Sequence, residues 1–269
     1  MSSMLNNELI QSKPFEIDIS ENPQEVAEKV FSLWKELANS TEGEFYVAAP
    51  LSSTPLLLYQ MIINRSDEIN HWENFRFLFM DEMLEENGEG YVSREDDASY
   101  VSFAIEYLLG PLAKKYNLDL SQIMMLPELE TFDDFERRLN EHGGLDLLVL
   151  ATGAGGHFAQ VVPGTPLDTG FHIADLNKIP GYAEKHENGA YKGATFRDKG
   201  MSLGYRQVRG SQKTILMLTG NGADKIEAST ELFSPQRSRF TGEFPISILY
   251  HPEVAKKTKV FVSKEALGE

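Results

Sequence analysis

The segment that most limits the fold is Leu145-Asp-Leu-Leu-Val-Leu-Ala151, an almost unbroken apolar run followed at once by Gly153, Gly155 and Gly156. A strand that is apolar on both faces must be covered on both, as in a parallel sheet between helical layers. The rest of the chain agrees. Residues 44–49, 75–80 and 214–218 read as buried strands and 122–126 as a short one, with 246–250 and 259–262 as closing strands around a short helix. Helical patterns lie between them, at 22–40, 55–63, 96–109, 132–142 and 223–232. The first has Asn22-Pro23 as its opening cap and Val26, Val30, Phe31, Trp34 and Leu37 on one face. The expected class is α/β, with a mostly parallel sheet and helices on both faces. Residues 1–22 read as a polar, loosely packed N-terminal extension, with one α/β domain over 23–269. The Gly- and Lys-containing stretch from about 168 to 203 reads as a long excursion that covers or rims a site.

Composition removes whole classes of function. Forty-one acidic residues against 25 Lys and Arg leave a formal charge of −16. Sequence-independent nucleic-acid binding and attachment to anionic membranes both run on Lys and Arg, so neither partner is expected. With no cysteine, disulfides, thiolate metal sites and cysteine nucleophiles are absent. The six histidines show no metal-ligand spacing, so no metal site is expected. No apolar run reaches about 18 residues. The N-terminus lacks a signal-peptide pattern, and a cytoplasmic location is the expectation.

In parallel sheets, ligands bind beyond the carboxyl ends of the strands, and three such ends carry chemistry. Ser52, Ser53 and Thr54 lie between a strand and a helix start, where hydroxyls and free backbone N–H groups can cradle phosphate; an ordinary helix cap uses the same residues. Asp81 and Glu82 end the apolar run 75–80, where a carboxylate with a raised pKa can act as a general base; a plain strand terminator would look the same. His157 follows Gly153, Gly155 and Gly156, whose backbone can approach a ligand, and histidine suits proton transfer near neutrality. Neither G-x-G-x-x-G nor a Walker A loop is present. Gly200-Met-Ser-Leu-Gly204 matches G-x-S-x-G, but a polar stretch precedes it where a nucleophile elbow needs an apolar strand.

The ordered set Ser53-Thr-Pro55, Phe79-Met-Asp-Glu82, Ser99-Tyr-Val-Ser-Phe103, Gly144-Leu-Asp-Leu-Leu-Val-Leu150, Gly153-Ala-Gly-Gly-His157 and Ser247-Ile-Leu-Tyr-His-Pro252 resembles the glucosamine-6-phosphate deaminase/isomerase family, whose relatives include 6-phosphogluconolactonases. The resemblance implies a modified Rossmann-like sheet that binds a sugar phosphate without a cofactor. It implies that Ser52, Ser53 and Thr54 hold the phosphate with Lys225, that Asp81 moves a proton between C2 and C1, and that His157 assists ring opening. Three features depart from the family pattern. Gly155-Gly156-His157 replaces Asp-Gly-His, Val161-Val162-Pro163 replaces Asn-Glu-Pro, and Leu51-Ser52 replaces the glycine pair before Ser-Thr-Pro. Two carboxylates that would orient the histidine are thereby lost. The leading expectation is an amino-sugar phosphate isomerase or deaminase. The alternatives are a 6-phosphogluconolactonase-like hydrolase and a sugar-phosphate sensor without turnover. Homo-oligomerisation is left open.

Overall fold

In a computed structural model of the chain, which describes residues 7–184 and 197–269, ten strands form two sheets. They are β1 (Glu16–Ser20), β2 (Phe45–Ala48), β3 (Phe75–Leu78), β4 (Asp81–Met83), β5 (Met124–Met125), β6 (Leu147–Ala151), β7 (His172–Asp175), β8 (Lys199–Ser202), β9 (Lys213–Leu218) and β10 (Thr258–Ser263). Seven of them form the main sheet in the order β1-β10-β9-β6-β2-β3-β5, every pair parallel. The other three form a small antiparallel sheet in the order β4-β8-β7.

The apolar runs are explained by burial on both faces. Along β6, Leu148 and Leu150 pack into one core with Leu78, Leu216 and Val260, while Leu147 and Val149 pack into another with Val47, Phe77 and Ile215. The helix Pro23–Ser40 covers the second face with Val26, Val30, Phe31 and Trp34, and its Asn22 side chain accepts from the Glu25 N–H at 2.9 Å. The helices Phe132–His142 and Ala223–Leu232 have the bounds the sequence predicts. Asp146 accepts the Tyr46 N–H at 2.7 Å, a structural role at the start of the neighbouring strand.

Four expectations need correction. First, the N-terminal segment is not all loose. Glu16–Ser20 pairs in parallel with β10, and Ile10, Phe15 and Ile17 join the core. Its outward charges suit an edge strand, and Glu16 pairs with Lys259 directly across the ladder. Second, the apolar run Pro245–Tyr250 is a 3-10 helix and not a strand. Third, the helix expected at 96–109 begins later, with Ser99 as its cap, and runs through Tyr100–Ala104, a π-helical turn at Ile105–Leu109, and Gly110–Tyr116. Pro111 cannot donate to a regular ladder, and the widened turn just before it, with Gly110 N–H bonded to Ile105 O, accommodates that gap. Fourth, Asp81 and Glu82 do not end a strand. They open β4, the first strand of the small sheet.

Leu148 is fully buried, and Leu148→Ala should cost about 2–5 kcal/mol in chemical denaturation. Ile173→Ser, at a side chain 47% exposed, should change stability by less than about 0.5 kcal/mol.

Candidate active site

The carboxyl ends of β2, β3, β6 and β9 surround one cleft of about 420 Å³. Its wall includes Ser52, Ser53, Thr54, Asp81, Gly153, His157 and Lys225. Seven of the sequence candidates, far apart in the chain, therefore meet in one place.

The loop after β2 precedes the helix Leu56–Asn64, whose first N–H groups have no partners within the helix. Tyr59, from that helix, is fully buried beneath the loop and donates its hydroxyl to Pro50 O at 2.6 Å. This bond ties the three hydroxyl residues to the scaffold. Lys225 comes from the first turn of Ala223–Leu232 and donates to Thr152 O at 2.5 Å, which holds its ammonium at the end of β6.

The two adjacent carboxylates have opposite fates because successive residues of a strand face opposite ways. Glu82 turns away from the cleft. Its oxygens accept the N–H groups of Met83 (2.8 Å), Tyr100 (2.9 Å) and Val101 (2.7 Å) and the Ser99 hydroxyl (3.3 Å), so it sits on the N-terminal end of the helix Tyr100–Ala104. Burial pushes its pKa up, against the opposing pull of those donors. Asp81 faces the cleft, is 7% exposed, and its Oδ1 has no hydrogen-bond partner. Burial, reinforced by the charge of Glu82, pushes the Asp81 carboxyl up to about 8. Burial first, and then the Asp81 charge, also raises the Tyr59 phenol well above its ordinary value.

His157 is held by main chain. Its Nδ1 lies 2.8 Å from Ala154 O. A carbonyl can only accept, so Nδ1 carries a proton, and in the neutral ring Nε2 is then the acceptor. The His157 carbonyl is held in turn by the Thr152 hydroxyl at 2.9 Å and the Gly153 N–H at 3.2 Å. The glycines separate in function. A Cβ on Gly153 would lie 2.7 Å from the imidazole Cε1, so glycine there makes room for the ring. Gly155 and Gly156 adopt φ of +65° and +73°, and a Cβ on Gly156 would lie 2.3 Å from the Phe244 ring. They shape the turn from behind and do not line the cleft.

Glu82, Gly155 and Gly156 are thus the expected site residues that the structure does not bring into the cleft. The sequence reading missed Met83, Tyr100, Gln160, Leu176, Ile179 and Tyr182, which also line it. Met83 belongs to the small sheet, and Leu176, Ile179 and Tyr182 follow β7, within the excursion expected to rim a site; the part of it at 185–196 lies outside the described residues. The G-x-S-x-G match is a coincidence of spacing. Ser202 is buried in β8, where its hydroxyl donates to Leu203 O and accepts from the Gln160 N–H. Among the described residues there is no cluster of His, Asp or Glu able to hold a metal, and no helix long and apolar enough to cross a membrane.

The chain is 28% identical over 238 residues to a glucosamine-6-phosphate deaminase of Clostridium beijerinckii, covering 87% of this chain and 91% of that one. It is 26% identical over 237 residues to a glucosamine-6-phosphate deaminase of Streptococcus thermophilus, covering 87% and 92%. Its fold matches a monomeric glucosamine-6-phosphate deaminase with a TM-score of 0.77 at 18% identity, over 94% of this chain and 99% of the other. It also matches the 6-phosphogluconolactonase of Leishmania guyanensis with a TM-score of 0.66 at 14% identity, over 94% and 97%. Over most of its length the chain is thus similar to glucosamine-6-phosphate deaminases, and it shares the fold of one of them and of a 6-phosphogluconolactonase. No family model matches it.

Two outcomes test this geometry. The folded-state pKa of Asp81, about 8, lies above its ordinary value of 3.8, so the native state favours the protonated form. That contribution is fully present below about pH 4 and is lost as pH rises through about 8. Asp81→Asn has no charge to bury. It should melt close to the parent near pH 4 and gain on it as pH rises, by on the order of a few kcal/mol above pH 8; equal shifts at both pH values would refute the burial argument. Glu82→Gln places an amide against N–H donors and should cost about 1–3 kcal/mol in denaturant titrations.

Proposed function

We propose that this chain is a cofactor-free amino-sugar phosphate isomerase/deaminase of carbohydrate metabolism. The observation that carries the reading is the Asp81 carboxylate, buried, unpaired at Oδ1 and facing a cleft that also holds a phosphate-type cradle. Structural carboxylates in protein interiors are paired; an unpaired one is held ready for a proton. The relatives named glucosamine-6-phosphate deaminase point the same way.

In this reading the Ser52, Ser53 and Thr54 hydroxyls, the start of the helix Leu56–Asn64 and the Lys225 ammonium grip the phosphate. Binding energy at that remote end orients the reacting end. His157 Nε2 takes part in opening the sugar ring, its tautomer fixed from the other side by Ala154 O. Ionised Asp81 takes the C2 proton and returns it at C1. The C2–N bond becomes a ketimine, water adds, and ammonium leaves, so amino-sugar phosphate plus water gives ketose phosphate plus ammonium. Glu82 acts as an anchor that positions its neighbour. Gly153 serves the ligand side of the turn, and Gly155 and Gly156 its rear. A small-molecule sugar phosphate is the partner and the cytoplasm the location in this proposal. The lactonase alternative rests on the fold of the 6-phosphogluconolactonase neighbours, but lactone hydrolysis gives no reason for a buried, unpaired Asp81.

The test is incubation with glucosamine 6-phosphate and with galactosamine 6-phosphate in deuterated water, followed by proton NMR and an ammonium assay. Loss of the C2 proton signal with ammonium release is expected, and the better substrate fixes the epimer. Asp81→Asn should reduce exchange on the order of a thousandfold while phosphosugar binding persists. For the parent, kcat/KM should rise with pH toward the Asp81 value of about 8, because the base works ionised. Turnover of 6-phosphogluconolactone without any C2 exchange would instead establish the hydrolase.

A further inference from the structure

Gln160 belongs to no motif, yet its surroundings are built around its carboxamide. The side chain lines the cleft and is only 2% exposed. Its Nε2 contacts the Met83 sulfur at 3.5 Å, a weak acceptor, and its Oε1 has no partner. Leaving a buried amide oxygen unpaired is unfavourable, and native proteins rarely do so without a function. Two further features define the position. A Cβ on Gly200 would lie 1.8 Å from Gln160 Oε1, so the carboxamide packs directly over the glycine of β8 and a larger residue there would displace it. Gln160 also sits at the corner of a tight turn closed by Val161 N–H to Phe158 O at 2.9 Å. The other corner residue, Ala159, has φ of +43°, a conformation that a residue with a Cβ adopts only at a cost. The Gln160 N–H is fixed on the Ser202 hydroxyl at 3.1 Å.

Met83, which the carboxamide touches, is two residues from Asp81 on the same face of β4. The carboxamide thus shares a wall of the cleft with the proposed base, among Met83, Ala159, Leu176 and Ile179, where the Tyr182 hydroxyl also approaches the Met83 sulfur at 3.9 Å. We propose that Gln160 is a specificity-determining residue that contacts substrate, its carboxamide pairing with a hydrogen-bonding substituent, amino or hydroxyl, on the carbon from which Asp81 takes the proton. This rests on the sugar-phosphate reading above and adds to it the feature by which sugars are selected. The oxygen accepts from an amino or hydroxyl group. An analogue with no substituent leaves it unpaired in a drier site.

The experiment is calorimetric titration of the full chain with glucosamine 6-phosphate, glucose 6-phosphate, 2-deoxyglucose 6-phosphate and inorganic phosphate. The parent and two apolar variants, Gln160→Met and Gln160→Leu, are compared, with thermal melts alongside. The parent should bind at least one substituted sugar about tenfold or more tighter than the 2-deoxy sugar. Which one it prefers separates amino from hydroxyl recognition. In the variants that ratio should fall close to one, with the affinity for inorganic phosphate unchanged. A parent with no preference, or variants that melt like the parent and keep its ratio, overturns the assignment of Gln160 while turnover of glucosamine 6-phosphate leaves the proposed function standing. A parent that binds inorganic phosphate but none of the sugars overturns both.

Discussion

The site depends on how one pair of neighbouring carboxylates is divided. Glu82 is bound on both oxygens by Ser99, Tyr100, Val101 and Met83, so it locks β4 to the start of a helix. That lock turns Asp81, on the opposite face, into the cleft, buried and with its Oδ1 unpartnered. The charge of the anchored residue then adds to burial in keeping the free one protonated to higher pH. Neither effect works alone. An unanchored Glu82 would let the strand shift, and a solvated Asp81 would be an ordinary weak base. Stability is given up at one residue and recovered at the next, a common arrangement where a fold must hold a reactive group.

The main sheet supplies the rest by topology. Parallel strands all point their carboxyl ends one way, so segments after β2, β3, β6 and β9 meet although they span from Ser52 to Lys225 in sequence. The small sheet closes the opposite side through β4, which joins the two sheets within a few residues of β3. Because Asp81 opens β4 and does not end β3, it is fixed by ladder hydrogen bonds to β8, including Leu203 N–H to Met80 O at 2.7 Å. A base on a ladder is held more firmly than one on a loop.

Much of this was legible in the sequence, for local reasons. Apolar runs followed by small or hydroxyl residues mark strand ends, and the meeting of Ser52, Ser53, Thr54, Asp81, Gly153, His157 and Lys225 follows from a parallel sheet. What was hidden is non-local or ambiguous in period. Apart from the Met83 N–H, the partners of Glu82 lie 17 to 19 residues further on, and nothing near Asp81 announces which carboxylate they will take. Pro245–Tyr250 is apolar enough for a strand, and its length alone did not separate it from a buried helical turn. Glu16–Ser20 looked loose because an edge strand needs only one apolar face. Gln160 carried no motif; its signal, a buried carboxamide oxygen without a partner packed over Gly200, exists only in the folded sheet.

The bond that orients His157 has a consequence of its own. Its acceptor is a peptide oxygen, which every amino acid at position 154 would still provide. Had an acidic side chain held the ring, a single codon change could release it. Here the orientation is encoded in the path of the chain through Gly153, Gly155 and Gly156, so drift at the neighbouring side chains leaves the tautomer intact. The imidazole is robust to substitution around it and exposed to change only where the backbone itself can be bent.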